Sequence, residues 1–383
     1  MRFGLLVMLL VLSVATASAL GYRAWRQHQS EDALAIRTPN GVQEAFYVRL
    51  GGVDQWIQIR GEDRCNPILL FIHGGPGSSE TPMSARLSSW EKQFTVVMWD
   101  QRGAGKTFAR SGMVGDLSLA RVAQDGIELT QFLQRHLQQR KIIALGHSWG
   151  SMVGLRMVHE RPELFSAYVG TGQIVSIPEG EAILYARTVA KLQAAHNLAG
   201  LAKIKAIGPP PYRSASDLLT VRALLASYDI APERDFSKTM TPVILFAPGW
   251  SLWDIYQWQQ GFQASQVATF HANDSYDARQ LGAAYGAPIF IINGAEDQNT
   301  PTDLAKTFFD GVHAPEKQFV VLKDGAHNAV LTEPGAFLHE LVVHVRPTVV
   351  RGAPRCGDRP SILGVPTIAQ RAHGPGPLLP LPP

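Results

Sequence analysis

An open, mostly parallel α/β sheet flanked by helices, with a largely helical cap inserted late in the chain, is the architecture this sequence implies. Short apolar runs recur at residues 67–72, 94–99, 141–145, 289–292 and 319–322, and Tyr168-Val169-Gly170 supplies a sixth. The runs at 67–72 and 94–99 are continuous rather than alternating, as parallel strands buried on both faces are. Between them, residues 119–137 carry apolar side chains at helical spacing, with Asp116 or Ser118 placed to cap the helix. Strand, helix, strand, helix is the rhythm of an open α/β sheet. The rhythm breaks from about Gly172 to Leu281, a stretch of helical pattern, aromatics and loops. An insertion there covers the carboxyl edge of the sheet, where ligands bind in folds of this class.

Taken in order, the chain opens on Met1-Arg2, an apolar run at residues 3–12, and small residues ending in Ala17-Ser18-Ala19. A charged start, an apolar middle and an A-x-A site read as a secretory signal peptide over residues 1–20, which places the protein in the periplasm or outside the cell. The alternative is an uncleaved anchor, because apolar character reaches Leu20 and Arg23 and Arg26 flank it. A membrane is a partner only in that second case. Residues 35–172 form the first part of the core, opening with a hairpin over residues 44–60 that turns at Gly51-Gly52. Residues 173–285 form the cap, with a first helix over residues 181–197, a break at Pro209-Pro210-Pro211, and Trp250, Trp253, Tyr256 and Trp258 read mainly as cap core. Residues 286–346 complete the core. Residues 347–383 are rich in Pro, Gly and Arg without periodicity, which reads as a disordered tail.

With 383 residues, 45% hydrophobic and 17% charged, the chain can bury a full core. A net charge of +3 with no dense Lys/Arg cluster excludes nucleic acid as a partner, and nothing in the pattern specifies an oligomeric state. Cys65 and Cys356 are too few for a metal cluster or a disulfide framework, and leave open one bridge or two thiols.

The chemistry centres on Gly146-His147-Ser148-Trp149-Gly150, a G-x-S-x-G between a strand and a helix. At such an elbow a serine hydroxyl stands clear of the sheet edge, and small residues on either side let strand and helix approach. A serine hydroxyl needs a base to take its proton, and the base needs an orienting acid. Asp297 and His327 each lie in a loop just beyond a strand, in the order Ser, Asp, His. Glu296 is the rival acid and Asp324 a more distant one. The oxyanion of an acyl-transfer intermediate needs N–H donors. His73-Gly74-Gly75-Pro76-Gly77 offers the N–H of Gly75, since Pro76 has none, and the residue after the nucleophile offers that of Trp149. Gly103-Ala104-Gly105-Lys106-Thr107 imitates the end of a phosphate loop, but the pattern needs glycine where Asp100 stands, so nucleotide binding is excluded. This chemistry calls for no cofactor and no metal.

His73 to Gly77, Trp99-Asp100-Gln101-Arg102-Gly103-Ala104-Gly105 and Gly146-His147-Ser148-Trp149-Gly150-Ser151 together resemble the proline iminopeptidase family of α/β-hydrolase fold serine hydrolases. The resemblance runs from about residue 47 to 345 and departs from the family at His147, where members often have glycine. It implies a triad of Ser148, Asp297 and His327, an oxyanion hole at Gly75 and Trp149, and a buttressing loop from Asp100 to Gly105. The implied activity is release of an N-terminal residue, typically proline, from a short peptide. Acidic cap residues would then hold the free amino group, with Glu179 and Glu181 as the candidates and Asp254, Asp274 and Asp277 also available. The competing readings are a carboxylesterase or amidase of broad specificity, whose substrate is an ester or amide, and a binding protein that keeps the fold without catalysis.

Overall fold

A computed structural model describes residues 2–351 of the chain. Helix α1 (Arg2–Ala33) precedes the sheet. The sheet then takes β1 (Val42–Leu50), β2 (Val53–Gly61), β3 (Ile68–Ile72), β4 (Thr95–Asp100), β5 (Ile142–His147), β6 (Phe165–Thr171), β7 (Ile289–Gly294) and β8 (Lys317–Leu322). Their spatial order is β1-β2-β4-β3-β5-β6-β7-β8. β1 and β2 form the antiparallel hairpin around Gly51-Gly52, β2 pairs antiparallel with β4, and every pairing from β4 to β8 is parallel.

The apolar runs of β3 to β7 become central strands because each side chain has a core to enter on either face, whereas the run at residues 319–322 lies in β8 at the sheet edge, where Val321 is exposed. Ile68, Leu70 and Ile72 of β3 enter one cluster, while Leu69 and Phe71 enter the other. On the first face lie α2 (Leu119–His136), which buries Val122, Ile127, Leu129 and Leu133, and α3 (Trp149–Glu160), which buries Met152, Val153 and Leu155. Ser118 caps α2 by accepting the N–H of Arg121 at 3.2 Å. On the second face Trp90 stacks on Phe337 with ring centroids 5.5 Å apart.

The segment between β6 and β7 carries α4 (Ile177–Ala194), α5 (Leu198–Ile207), α6 (Ala215–Ala226), α7 (Phe236–Leu245) and α8 (Leu252–Thr269). It has a small core of its own, built on Leu184, Leu192, Ile204, Tyr212, Val221 and Leu225. α4 starts four residues before the expected position 181. Ser176 accepts the Glu179 N–H at 3.4 Å, and Pro178 sits in the first turn, where it costs no hydrogen bond. The expected aromatic core is only partly formed: Trp250 is buried, but Trp253 and Tyr256 are exposed. Beyond β7 runs α9 (Thr302–Asp310).

Helix also continues past residue 346, where a disordered tail was expected. Arg346–Val350 is helical because Pro347 falls in its first turn, and Val349 packs against the second core cluster. Residues 352–383, with Cys356 and the rest of the expected tail, lie outside the described residues.

Candidate active site

Ser148 lies between β5 and α3 with φ 53° and ψ −119°, a backbone that an L side chain resists. Packing holds it there. The Ser148 N–H donates to Thr171 O at 3.0 Å, and its carbonyl accepts from the N–H of Ser151 at 2.8 Å and from Ser151 Oγ at 2.6 Å. Gly150 lets α3 come this close to β3, since a β-carbon there would stand 1.9 Å from Ile72 O.

The loops after β7 and β8 bring the two partners to this serine. His327 Nε2 lies 3.0 Å from Ser148 Oγ, and Nδ1 lies 3.1 Å and 3.2 Å from the two carboxylate oxygens of Asp297. Asp297 is fully buried and accepts from Asn299 N–H at 2.9 Å, Thr300 N–H at 2.8 Å and Thr300 Oγ1 at 2.6 Å. Burial alone would raise the carboxyl pKa, but the charge of His327 and these hydrogen bonds outweigh it and leave Asp297 below the ordinary value. For His327 burial favours the neutral ring, yet the charge and hydrogen bond of Asp297, helped by Glu233, win and raise its pKa. With an acceptor at Nδ1, the neutral ring carries its proton there and leaves Nε2 free to accept from the serine. The rival acids Glu296 and Asp324 are exposed.

Gly75 and Trp149 both border the same cavity as Ser148. Gly75 has φ 112°, where a side chain is strained and a β-carbon would meet Ser78 N at 2.6 Å. Among the described residues, no backbone carbonyl accepts the N–H of either residue, so both stay available to a ligand. The loop after β4 braces them. Gln101 Nε2 donates to His73 O at 3.1 Å, Gln101 Oε1 accepts from Trp149 Nε1 at 3.0 Å, and Asp100 accepts from Ser79 Oγ at 2.5 Å. Burial raises the Asp100 pKa despite those hydrogen bonds.

The cavity above Ser148 has a volume of about 810 Å³ and a mainly apolar wall that includes Met152, Ile177, Leu219, Phe236, Trp258 and Phe262. Of the two acids expected at the amine, Glu181 borders it and pairs with Arg222. Glu179 does not: it is exposed and paired with Arg279 at 2.8 Å. Two residues apart on α4, the two side chains point about 200° apart around the helix, so only one can face the cavity.

Sequence reasoning missed a buried pair beside the nucleophile. Glu80 Oε1 lies 3.0 Å from His147 Nδ1, and His147 Nε2 lies 3.1 Å from His327 O. A carbonyl only accepts, so the contact with His327 O places a hydrogen on His147 Nε2. Glu80 also accepts from Gly74 N–H at 3.3 Å, so one carboxylate touches the donor loop, the elbow and, through His147, the His327 loop. The signal available was His147 itself, the one departure from the family pattern inside the elbow.

Known proteins agree with this architecture. A Bacillus subtilis protein named as a probable aminopeptidase, YbaC, is 28% identical over 305 residues, covering 78% of this chain and 94% of that protein. A Streptomyces coelicolor protein named as a probable proline iminopeptidase is 26% identical, covering 70% of this chain and 85% of that one. The crystal structure of a proline iminopeptidase from Mycobacterium smegmatis superposes with a TM-score of 0.56 at 18% identity, over 80% of this chain and 99% of that one. A sheet that runs parallel from β4 to β8, a serine at the β5–α3 turn, and a match of residues 67–334 to the model of the alpha/beta hydrolase fold lead to one assignment: the chain belongs to the α/β hydrolase fold family.

Proposed function

We propose that the protein is a serine aminopeptidase of the proline iminopeptidase kind, acting through an acyl-enzyme. The observation that carries this reading is the unbroken relay from Ser148 Oγ through His327 to Asp297 bordering a partly open, mainly apolar cavity. Ser148 attacks the carbonyl carbon of the first residue while His327 takes its proton at Nε2. The N–H groups of Gly75 and Trp149 receive the oxyanion. His327 then gives the proton to the departing amine, and water, activated by the same nitrogen, clears the acyl group from Ser148. Asp297 keeps the ring in the working tautomer throughout.

Relatives named as aminopeptidases support a peptide substrate. Glu181 is the cap acid this reading assigns to the free amino group. Its Oε2 is buried without a hydrogen-bond partner, and an ammonium supplies the missing donor. The apolar helix α1 suits an exported or membrane-held enzyme.

A second reading, an esterase or amidase for apolar acyl groups, is favoured by the volume of the cavity and its apolar wall. Turnover of proline naphthylamide, its N-acylated analogue and a p-nitrophenyl ester separates the two. The aminopeptidase reading expects the free amine to be the best substrate, and preference for the blocked amide or the ester overturns it. Ser148→Ala should abolish turnover of all three together with labelling by a fluorophosphonate.

A further inference from the structure

We propose that α1 is retained as a membrane anchor, and that the adjoining end of the cap, Leu252, Trp253 and Tyr256, rests in the interfacial layer of the same lipid bilayer. The large apolar side chains of residues 3–20 are exposed on every side of the helix, from Phe3 at 81% to Leu20 at 50%. A protein groove would cover one stripe of such a helix, whereas lipid surrounds it. At a rise of 1.5 Å per residue, eighteen residues span roughly 27 Å, close to the hydrocarbon thickness of a bilayer. Ser13 Oγ donates to Leu9 O at 2.8 Å, so this hydroxyl needs no water.

The next turns of the same helix are tied to the folded body. Arg23 Nη2 donates to Trp250 O at 2.6 Å, and Gln27 Nε2 donates to Trp250 O at 2.8 Å and Ala247 O at 2.9 Å. The Arg26 guanidinium lies 4.9 Å from the centre of the Phe246 ring, against which the Tyr22 ring packs edge-on. The helix passes through Ala17-Ser18-Ala19 unbroken and is held from Arg23 onward. A processing peptidase cleaves extended backbone, whereas residues 17–19 lie inside this unbroken helix.

Those contacts also fix where the bilayer surface falls. Tyr22, Arg23, Trp25 and Arg26 directly follow the apolar stretch, and such residues favour the headgroup level. Arg23 and Gln27 bind Trp250 O, and two residues further α8 begins with Leu252 and Trp253. Trp253 and Tyr256 are 62% and 50% exposed and stack on each other at 5.3 Å. An exposed stacked aromatic pair beside the exit of the anchor fits the amphipathic interface better than water. Further along, α8 sends Trp258 and Phe262 into the cavity wall, so one helix joins the bilayer surface to the candidate site.

The full chain, expressed in bacterial cells and recovered from their membranes, provides the test. Its intact mass should retain the residues before Ala19, and it should stay with phosphatidylcholine–phosphatidylglycerol vesicles through a carbonate wash. A chain beginning at Leu20, release by carbonate, or an oligomer that leaves the vesicles overturns the anchor. The patch is read from quenching of tryptophan fluorescence by brominated phosphatidylcholine in the same vesicles. Trp253→Phe and Trp25→Phe should each remove about half of that quenching, since these are the two tryptophans placed at the interface. Quenching unchanged by Trp253→Phe overturns the cap contact even where the anchor stands.

Discussion

Asp297 meets three hydrogen-bond donors of its own loop before it meets His327, so its carboxylate is fixed in place rather than recruited by substrate. Asp297→Asn should therefore keep the fold and lower kcat/KM by about 10⁴-fold, because the amide no longer enforces the working tautomer. Glu296→Gln, at an exposed position, should change it little; the opposite outcome would exchange the two acids. The pH profile follows from the same contact. Nε2 must be neutral to accept the serine proton, and Asp297 raises the His327 pKa, so kcat/KM should climb with pH through a midpoint above the ordinary value of about 6.5. In Asp297→Asn burial acts unopposed by that charge, and the midpoint should move to lower pH. Under the proposed mechanism Glu80 would act one contact further out, as a positioning residue. Glu80→Ala removes the carboxyl group in contact with His147 Nδ1 and should lower kcat roughly a hundredfold with little change in KM. Glu80→Gln keeps a polar group of the same length opposite His147 Nδ1 and should recover most of the rate.

The elbow between β5 and α3 depends on a close approach that can be tested apart from catalysis. With only 1.9 Å available between a β-carbon at Gly150 and Ile72 O, Gly150→Ala must push β3 and α3 apart, at a cost of about 3 kcal/mol or more. Urea unfolding reads this directly, and a loss below about 1 kcal/mol would mean the contact is not tight. This element was legible in the sequence for a physical reason. A strand buried on both faces must be apolar throughout, so β3, β4, β5 and β7 announced themselves, and the loops that follow them carried Gly75, Ser148 and Asp297. The cap was harder to read. Its helices are partly exposed, so aromatics such as Trp253 and Trp258 look alike in sequence while one is uncovered by the rest of the chain and the other borders the cavity. Glu80 was hidden because its meaning rests on a contact with His147, 67 positions away, and no local pattern encodes that pairing.

Two unequal cores divide the labour of the molecule. The sheet is buried on both faces by two large clusters, whereas α4, α5 and α6 share a cluster centred on Leu184, Leu192, Ile204, Tyr212, Val221 and Leu225. Less buried apolar surface means a lower free energy of local opening, so the cap should loosen while the sheet stays closed. The catalytic candidates stand on the rigid part: Ser148, Asp297 and His327 all follow strands of the sheet, while Glu181, Arg222 and much of the cavity wall ride on the cap. The proposed mechanism then expects substrate to enter through cap opening without disturbing the relay. Hydrogen exchange tests this division. Amides of residues 198–226 should exchange at least about tenfold faster than those of β3, β5 and β7. A fluorophosphonate bound at Ser148 and filling the cavity should slow exchange in α4 and α6, which line it, and leave β5 unchanged. Equal protection of cap and sheet in the free protein would mean that the two cores open as one, and that substrate must reach Ser148 by a route that leaves the cap in place.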